Sequence, residues 1–244
     1  MTDQSLPSLS FVTCISRLDV AQRYLLASPC LGRGGYQLAA HFNAPSAAHA
    51  FNAALDARPG SDWLVWLHQD VFLPQGWDTQ FRQQLALALA QWPQMAVAGV
   101  YGLRGCGTQA LRLGRVLDRG QPLCEPAPLP QMADSLDELL LAVRVDSSLR
   151  MDAALGFDFY ATDLVLQAQQ RGLTGAVLDA WCEHWSDTPK TGPVPHSLAQ
   201  RILASAEVFE RKWATHLPIT TPCFHIAQAG DVRAFATTLG VCPP

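Results

Sequence analysis

Between Leu9 and Tyr101 short apolar runs alternate with stretches of helical spacing, and this alternation restricts the fold more than any other feature of the chain. The runs Leu9 to Ile15, Tyr36 to Phe42, Asp62 to Leu67 and Met95 to Tyr101 are too short and too rich in β-branched and aromatic residues for helices, so they read as strands. Ser16, with Asp19 three residues on, opens a helical stretch after the first strand. Ser46 caps a second helix whose Ala47, Ala50, Phe51, Ala54 and Leu55 follow helical spacing, and Asp78 caps a third with Phe81, Leu85, Leu89 and Trp92 on its inner face. Strand and helix in strict alternation predict an α/β fold, an open and mostly parallel sheet flanked by helices in the Rossmann manner. Ligands of such sheets bind at the carboxyl ends of the strands, where Ser16, His68 and Asp70 fall.

The pattern then weakens. Residues 102 to 130, rich in Gly, Pro and Arg, read as an irregular excursion that covers a site. Ser135 and Glu138 form a capping box expected to open a helix over Leu136 to Val143. A further helix is expected over Thr162 to Gln170, then a last short strand from Ala176 to Leu178 running on to His184. Beyond it lies a helix from about Ser197 to Trp213. The expected organisation is one domain over residues 1–188 with a small helical C-terminal extension, 189–244, packed on it.

The chain has 244 residues, enough for one α/β core. A net charge of -4 offers nucleic acid no general attraction, so a polyanionic ligand must be handled by a local site. The 7 cysteines form no CxxC pair, which argues against a disulfide framework or zinc knuckle and for a reducing, cytoplasmic setting. No charged-then-apolar leader opens the sequence, and no apolar run approaches the roughly 18 residues of a membrane span, so peripheral membrane contact is the most to be expected. Neither a dinucleotide fingerprint nor a P-loop is present, which removes the nicotinamide and ATP readings.

The chemistry concentrates at His68-Gln69-Asp70. A strand ending there sets an imidazole and a carboxylate two residues apart at the sheet edge, a pair able to hold a divalent cation. Mixed nitrogen and oxygen donors suit Mn²⁺, and Mg²⁺ where carboxylate and phosphate oxygens dominate. An isolated HxD is a weak motif, and by itself reads equally as a strand cap followed by a turn.

Its surroundings add to it. The block from Asn43 to Asn52, the strand, His68 to Pro74 with Gly76-Trp77, and the later Leu136-Asp137-Glu138 and Gly156 to Leu164 blocks together resemble the family-2 glycosyltransferases of the GT-A fold. The likeness is to the bacterial StrF-like branch, with HQD in place of DxD, and it covers most of residues 9 to 186.

That resemblance implies a nucleotide-diphosphate sugar donor, a divalent metal at its diphosphate, and transfer with inversion to a hydroxyl of a glycan, lipid-linked or small-molecule acceptor. It implies metal ligation by His68 and Asp70, with His184 as a late third ligand. Asp163 is the implied general base and Asp137 the runner-up. Cys14, Ser16, Arg17 and Asn43 fall at the positions that grip the nucleotide, with Asn52 and Gln69 completing the donor-binding set. The run Glu210 to Trp213 matches a tail feature without assigned chemistry. Two other readings stay open: a non-catalytic nucleotide-sugar binding module, and a metal-dependent hydrolase that activates water.

Overall fold

The computed structural model describes residues 6–32, 35–186 and 195–238. Its first half follows the alternation: β1 (Leu9–Ile15), α1 (Leu18–Arg23), β2 (Leu38–Phe42), α2 (Ala47–Asp56), β3 (Trp63–Leu67), β4 (Val71–Phe72), α3 (Trp77–Gln91) and β5 (Met95–Gly99). The Ser46 hydroxyl accepts the His49 N–H and so caps α2 as expected. The other two starts differ. Arg17 is the N-cap of α1 and makes no side-chain cap bond, and Gly76, in the left-handed region, precedes Trp77 at the start of α3.

The stretch expected to be irregular is instead built of strands: β6 (Tyr101–Arg104), β7 (Leu111–Asp118) and β8 (Gln121–Cys124). Next come β9 (Gln131–Ala133), β10 (Ser135–Leu136) and β11 (Leu140–Arg144). The helix expected over Leu136 to Val143 is therefore wrong. In its place β11 lies antiparallel between β3 and β5 in the middle of the main sheet. Leu140 to Val143 are all buried, and a strand covered on both faces carries a continuous apolar run whose period cannot distinguish it from a helix. The chain closes with α4 (Tyr160–Gln170), β12 (Thr174–Val177), β13 (Cys182–His184), α5 (His196–Lys212), β14 (Ile219–Thr220), β15 (His225–Ile226) and α6 (Asp231–Thr238).

The main sheet has the order β2-β1-β3-β11-β5-β12-β9, with β11 and β9 running against the other strands. Side chains of β3 alternate between two cores. Trp63, Val65 and Leu67 join Trp77, Phe81 and Leu85 of α3, while Leu64 and Trp66 join Phe51 of α2 and Tyr160 and Leu164 of α4. A second sheet, β10-β6-β7-β13-β4, stands beside the first, with β8 also paired to β7. Gly114 marks the crossing: its φ is +112°, and a Cβ there would sit 2.2 Å from the Val100 carbonyl oxygen.

A third core joins α5 to the body of the protein. Leu203, Phe209 and Trp213 cluster with Leu155, Phe159 and Leu166. The boundary expected between residues 188 and 189 lies outside the described residues. No helix among the described residues is long and apolar enough to cross a membrane.

Candidate metal centre and adjoining cavity

His68-Gln69-Asp70 is the bend by which the chain leaves the main sheet at Leu67 and enters the second sheet at Val71. The register of the second sheet then fixes the neighbours of the tripeptide. Antiparallel pairing of β13 with β4 sets His184 opposite Val71, beside Asp70, and the Trp185 N–H donates to the Asp70 carbonyl at 2.9 Å. Parallel pairing of β13 with β7 sets His184 opposite Asp118. The structure thus brings together His68, Asp70 and His184, whose ligand atoms lie within 4.8 Å of one another. Among the described residues this is the one group of three or more His, Cys, Asp or Glu side chains placed to converge on a cation.

Hydrogen bonds fix the state of both imidazoles. The Tyr160 hydroxyl donates its single proton to the Glu138 carbonyl at 3.0 Å and accepts the Trp66 indole N–H at 3.0 Å. His68 Nε2, 2.8 Å from the same oxygen, must therefore be the donor, which leaves Nδ1 with its lone pair. Burial holds the His68 pKa below its ordinary value, with Asp70 pulling up and His184 pushing down, so the ring is neutral. His184 Nδ1 lies 3.0 Å from Asp118 Oδ1, and its Nε2 is 3.5 Å from Asp70 Oδ1. Burial pushes the His184 pKa down, but the two carboxylates outweigh it and raise the value to about 9.

Asp70 and Asp118 both sit below the usual carboxylate range. Burial raises each, and the histidines, joined at Asp118 by Arg119, more than reverse it. The Asp70 Oδ1 atom is buried and has no hydrogen-bond partner, since 3.5 Å is too long for a charge-assisted bond. An orphaned carboxylate oxygen facing two ring nitrogens is a donor set of the N₂O kind that suits a divalent cation.

A cavity of about 450 Å³ opens beside this cluster, and His68, His184, Asp118, Asp137 and Glu138 are among the residues lining it. Asp137 is not in a helix. It stands in the loop between β10 and β11, where its Oδ1 accepts the Leu139 N–H at 3.0 Å. Asp163 is in the first turn of α4 as expected, but the structure does not bring it to the cavity. It is 0% exposed, and its carboxylate is consumed by the Trp213 indole at 2.8 Å, Lys212 at 2.7 Å and Gln167 at 2.6 Å.

The expected donor-binding residues divide. Ser16 and Arg17, exposed after β1, donate their backbone N–H groups to Gln69 Oε1 at 3.0 and 2.9 Å, and Gln69 donates in turn to the Ser16 hydroxyl. Gln69 thereby clamps the ends of β1 and β3 together. Asn43 is exposed after β2 with φ 50°, its N–H bonded to Ile15 O. Cys14 is half-buried against the second core, and burial raises its thiol pKa. Asn52 is occupied elsewhere: its amide exchanges two hydrogen bonds with the backbone of Met151, fastening α2 to the segment between β11 and α4.

Sequence reasoning missed Asp118, Tyr160 and Glu138 as parts of this site. Asp118 lay in the stretch read as irregular, and Tyr160 in the block noted only for its family likeness. The one available signal was the late histidine itself, since a metal-binding imidazole calls for a partner on its other nitrogen.

No family model matches the sequence, and no curated protein matches it. Solved structures do match in shape. The mannosyltransferase PcManGT from Pyrobaculum calidifontis, in complex with GDP-Man and Mn²⁺, aligns at 12% identity with a TM-score of 0.50, over 98% of this chain and 69% of its own. GalNAc-T7 with UDP, GalNAc and Mn²⁺ aligns at 9% identity with a TM-score of 0.53, over 98% of this chain and 55% of its own. The chain therefore spans little more than half of the second protein. Likeness at such low identity establishes the fold and nothing finer: the chain has the GT-A fold of glycosyltransferases.

Proposed function

We propose that the chain is a metal-dependent glycosyltransferase that moves a sugar, with inversion, from a nucleotide-diphosphate sugar to an acceptor hydroxyl. We assign it to the StrF-like branch, with His68-Gln69-Asp70 replacing DxD, and to the cytoplasm, where Cys14, Cys30, Cys106, Cys124, Cys182 and Cys223 stay free thiols. The observation that carries the reading is the N₂O cluster of His68, Asp70 and His184, at the carboxyl end of β3 in a GT-A fold, opening on a cavity with its own carboxylates.

His68, Asp70 and His184 would hold Mn²⁺ or Mg²⁺, which supplies positive charge against the diphosphate leaving group. Tyr160 and Asp118 hold the two imidazoles in their orientations, and His184, protonated without the metal, would give up its Nε2 proton as the ion binds. Ser16, Arg17 and Asn43, exposed at the ends of β1 and β2, would contact the nucleotide, and Gln69 holds the ends of β1 and β3 together. Asp137, which lines the cavity where Asp163 is enclosed away from it, is the base that takes the proton of the acceptor hydroxyl.

The test is a thermal-shift and product-release panel of UDP-, GDP- and dTDP-sugars with and without Mn²⁺, on the wild type and on Asp70→Ala. Metal-dependent stabilisation by one nucleotide class, lost in the variant, is expected. A protein indifferent to every nucleotide and to Mn²⁺ sinks the reading, and phosphate release from the donor without sugar transfer replaces it with a hydrolase.

A further inference from the structure

The carboxyl groups around the cavity are not alike in how they are satisfied. Asp118 is held by His184 and Arg119, and Asp158 by a two-pronged contact with Arg201 at 3.0 Å on both nitrogens. Asp137 Oδ1 accepts the Leu139 N–H. Glu138 differs: it lines the cavity, and its Oε1 is buried with no hydrogen-bond partner. A buried, unanswered polar oxygen costs about 1–3 kcal/mol and calls for an explanation, which a ligand can supply.

The rest of the wall describes that ligand. Phe159, from the start of α4, and Ile202 and Phe224, from the C-terminal segment, give the cavity an apolar side. The fixed charges are largely paired within the protein, Arg119 with Asp118 and Arg201 with Asp158, while Arg112 donates to the Pro222 carbonyl. Arg119 and Arg201 are thereby committed within the protein rather than offered to an anionic guest.

Resting on the transferase reading, we propose that Glu138 exchanges hydrogen bonds with a hydroxyl of the acceptor, and that this acceptor is an uncharged glycoside or alcohol whose apolar face lies on Phe159, Ile202 and Phe224. The state of the carboxyl agrees. Burial, with the neighbouring Asp158 and Asp137, pushes its pKa well above the ordinary value, which favours the protonated form that both donates and accepts. A group that both donates and accepts matches a hydroxyl, which does the same.

Glu138→Gln keeps a neutral donor and acceptor of the same shape, whereas Glu138→Leu keeps the volume and removes both. Each is assayed with Mn²⁺, the donor selected by the panel above, and p-nitrophenyl and octyl glycosides set against their glucuronide and amino-sugar counterparts. The leucine variant is expected to raise the acceptor KM about ten-fold, and the glutamine variant to stay within about three-fold of wild type. Both should keep the metal-dependent thermal stabilisation by the donor, which does not involve the acceptor. The melting temperature of the leucine variant should not fall, because an unanswered polar group has been replaced by an apolar one. If the leucine variant does not fold, Glu138→Ala carries the same comparison.

An unchanged acceptor KM in the leucine variant, a glutamine variant as impaired as leucine, or a preference for charged glycosides each overturns this inference alone. A wild type that releases no nucleoside diphosphate from any donor overturns the transferase reading, and this inference with it.

Discussion

Asp118 Oδ1 lies 3.0 Å from Nδ1 of His184, and the parallel register of β7 and β13 sets the two residues abreast. The contact is carried by backbone pairing, so it exists before any ligand arrives. Asp118→Asn should therefore leave the fold intact while weakening Mn²⁺ binding by about 10- to 100-fold, the usual effect of losing the carboxylate behind a ligating histidine. Titration calorimetry of the variant against wild type measures it, and equal affinities would remove Asp118 from the centre.

Tyr160 does the same for His68 and carries more structural weight, since its hydroxyl also serves the Trp66 indole and the Glu138 carbonyl. Tyr160→Phe should lower Mn²⁺ affinity and also cost about 1–3 kcal/mol of stability, because buried groups lose their partner. Urea unfolding separates the two effects. A variant as stable as wild type would mean that the neighbours find other partners.

The two acidic residues first considered for proton abstraction should behave in opposite ways. Asp137→Asn, a change at the cavity, should leave folding and donor binding alone and slow transfer by about 10²- to 10⁴-fold, read as a fall in kcat. Asp163→Asn should cost about 1–3 kcal/mol of stability with kcat nearly unchanged, because it disturbs the buried bonds to Lys212 and Trp213. The reverse pattern would reinstate Asp163.

The same junction sets a pH window. Burial raises the Asp152 carboxyl, but Lys212 and the Ala154 N–H pull it below its ordinary value, so its stabilisation is present above the unfolded value near 4 and is lost as pH falls through the folded one. Burial lowers the Lys212 pKa, but Asp152 and Asp163 raise it overall, so its contribution is present below the unfolded value near 10 and is lost as pH rises through the folded one. Attachment of α5 should hold between about pH 4 and pH 10 and loosen outside that range. Fluorescence of buried Trp213 against pH follows it, and a flat trace down to pH 2 would show that the ion pair is not what holds the helix.

The first hundred residues were legible because each strand is bounded by a helix with a clear apolar stripe, as Phe51 and Leu55 mark α2 and Phe81 and Leu85 mark α3. The failure at β11 came from the same physics: Leu140 to Val143 are covered on both faces, and burial all round erases the period. The second sheet was illegible because its strands are short and owe their place to pairing across long sequence gaps, such as Cys182 with Val116. His68, Asp70 and His184 were singled out from sequence and do converge, because a strand end fixes direction. The place of Asp163 beneath α5 was not legible, since a helix N-terminus favours a carboxylate equally at a cavity and beneath a packed helix. The run Glu210 to Trp213, to which sequence gave no role, supplies the partners that enclose it.

Ile202 and Phe224 reach the cavity from the last quarter of the chain, whereas Ser16, Arg17 and Asn43 lie in the first. Under the transferase reading, the donor contacts come from the first quarter of the chain and part of the acceptor wall from the last, joined by Glu138 and Phe159 from the middle. Exchanging the tail between homologous enzymes would then retarget the acceptor while leaving nucleotide preference untouched, so the two specificities are free to diverge separately in evolution.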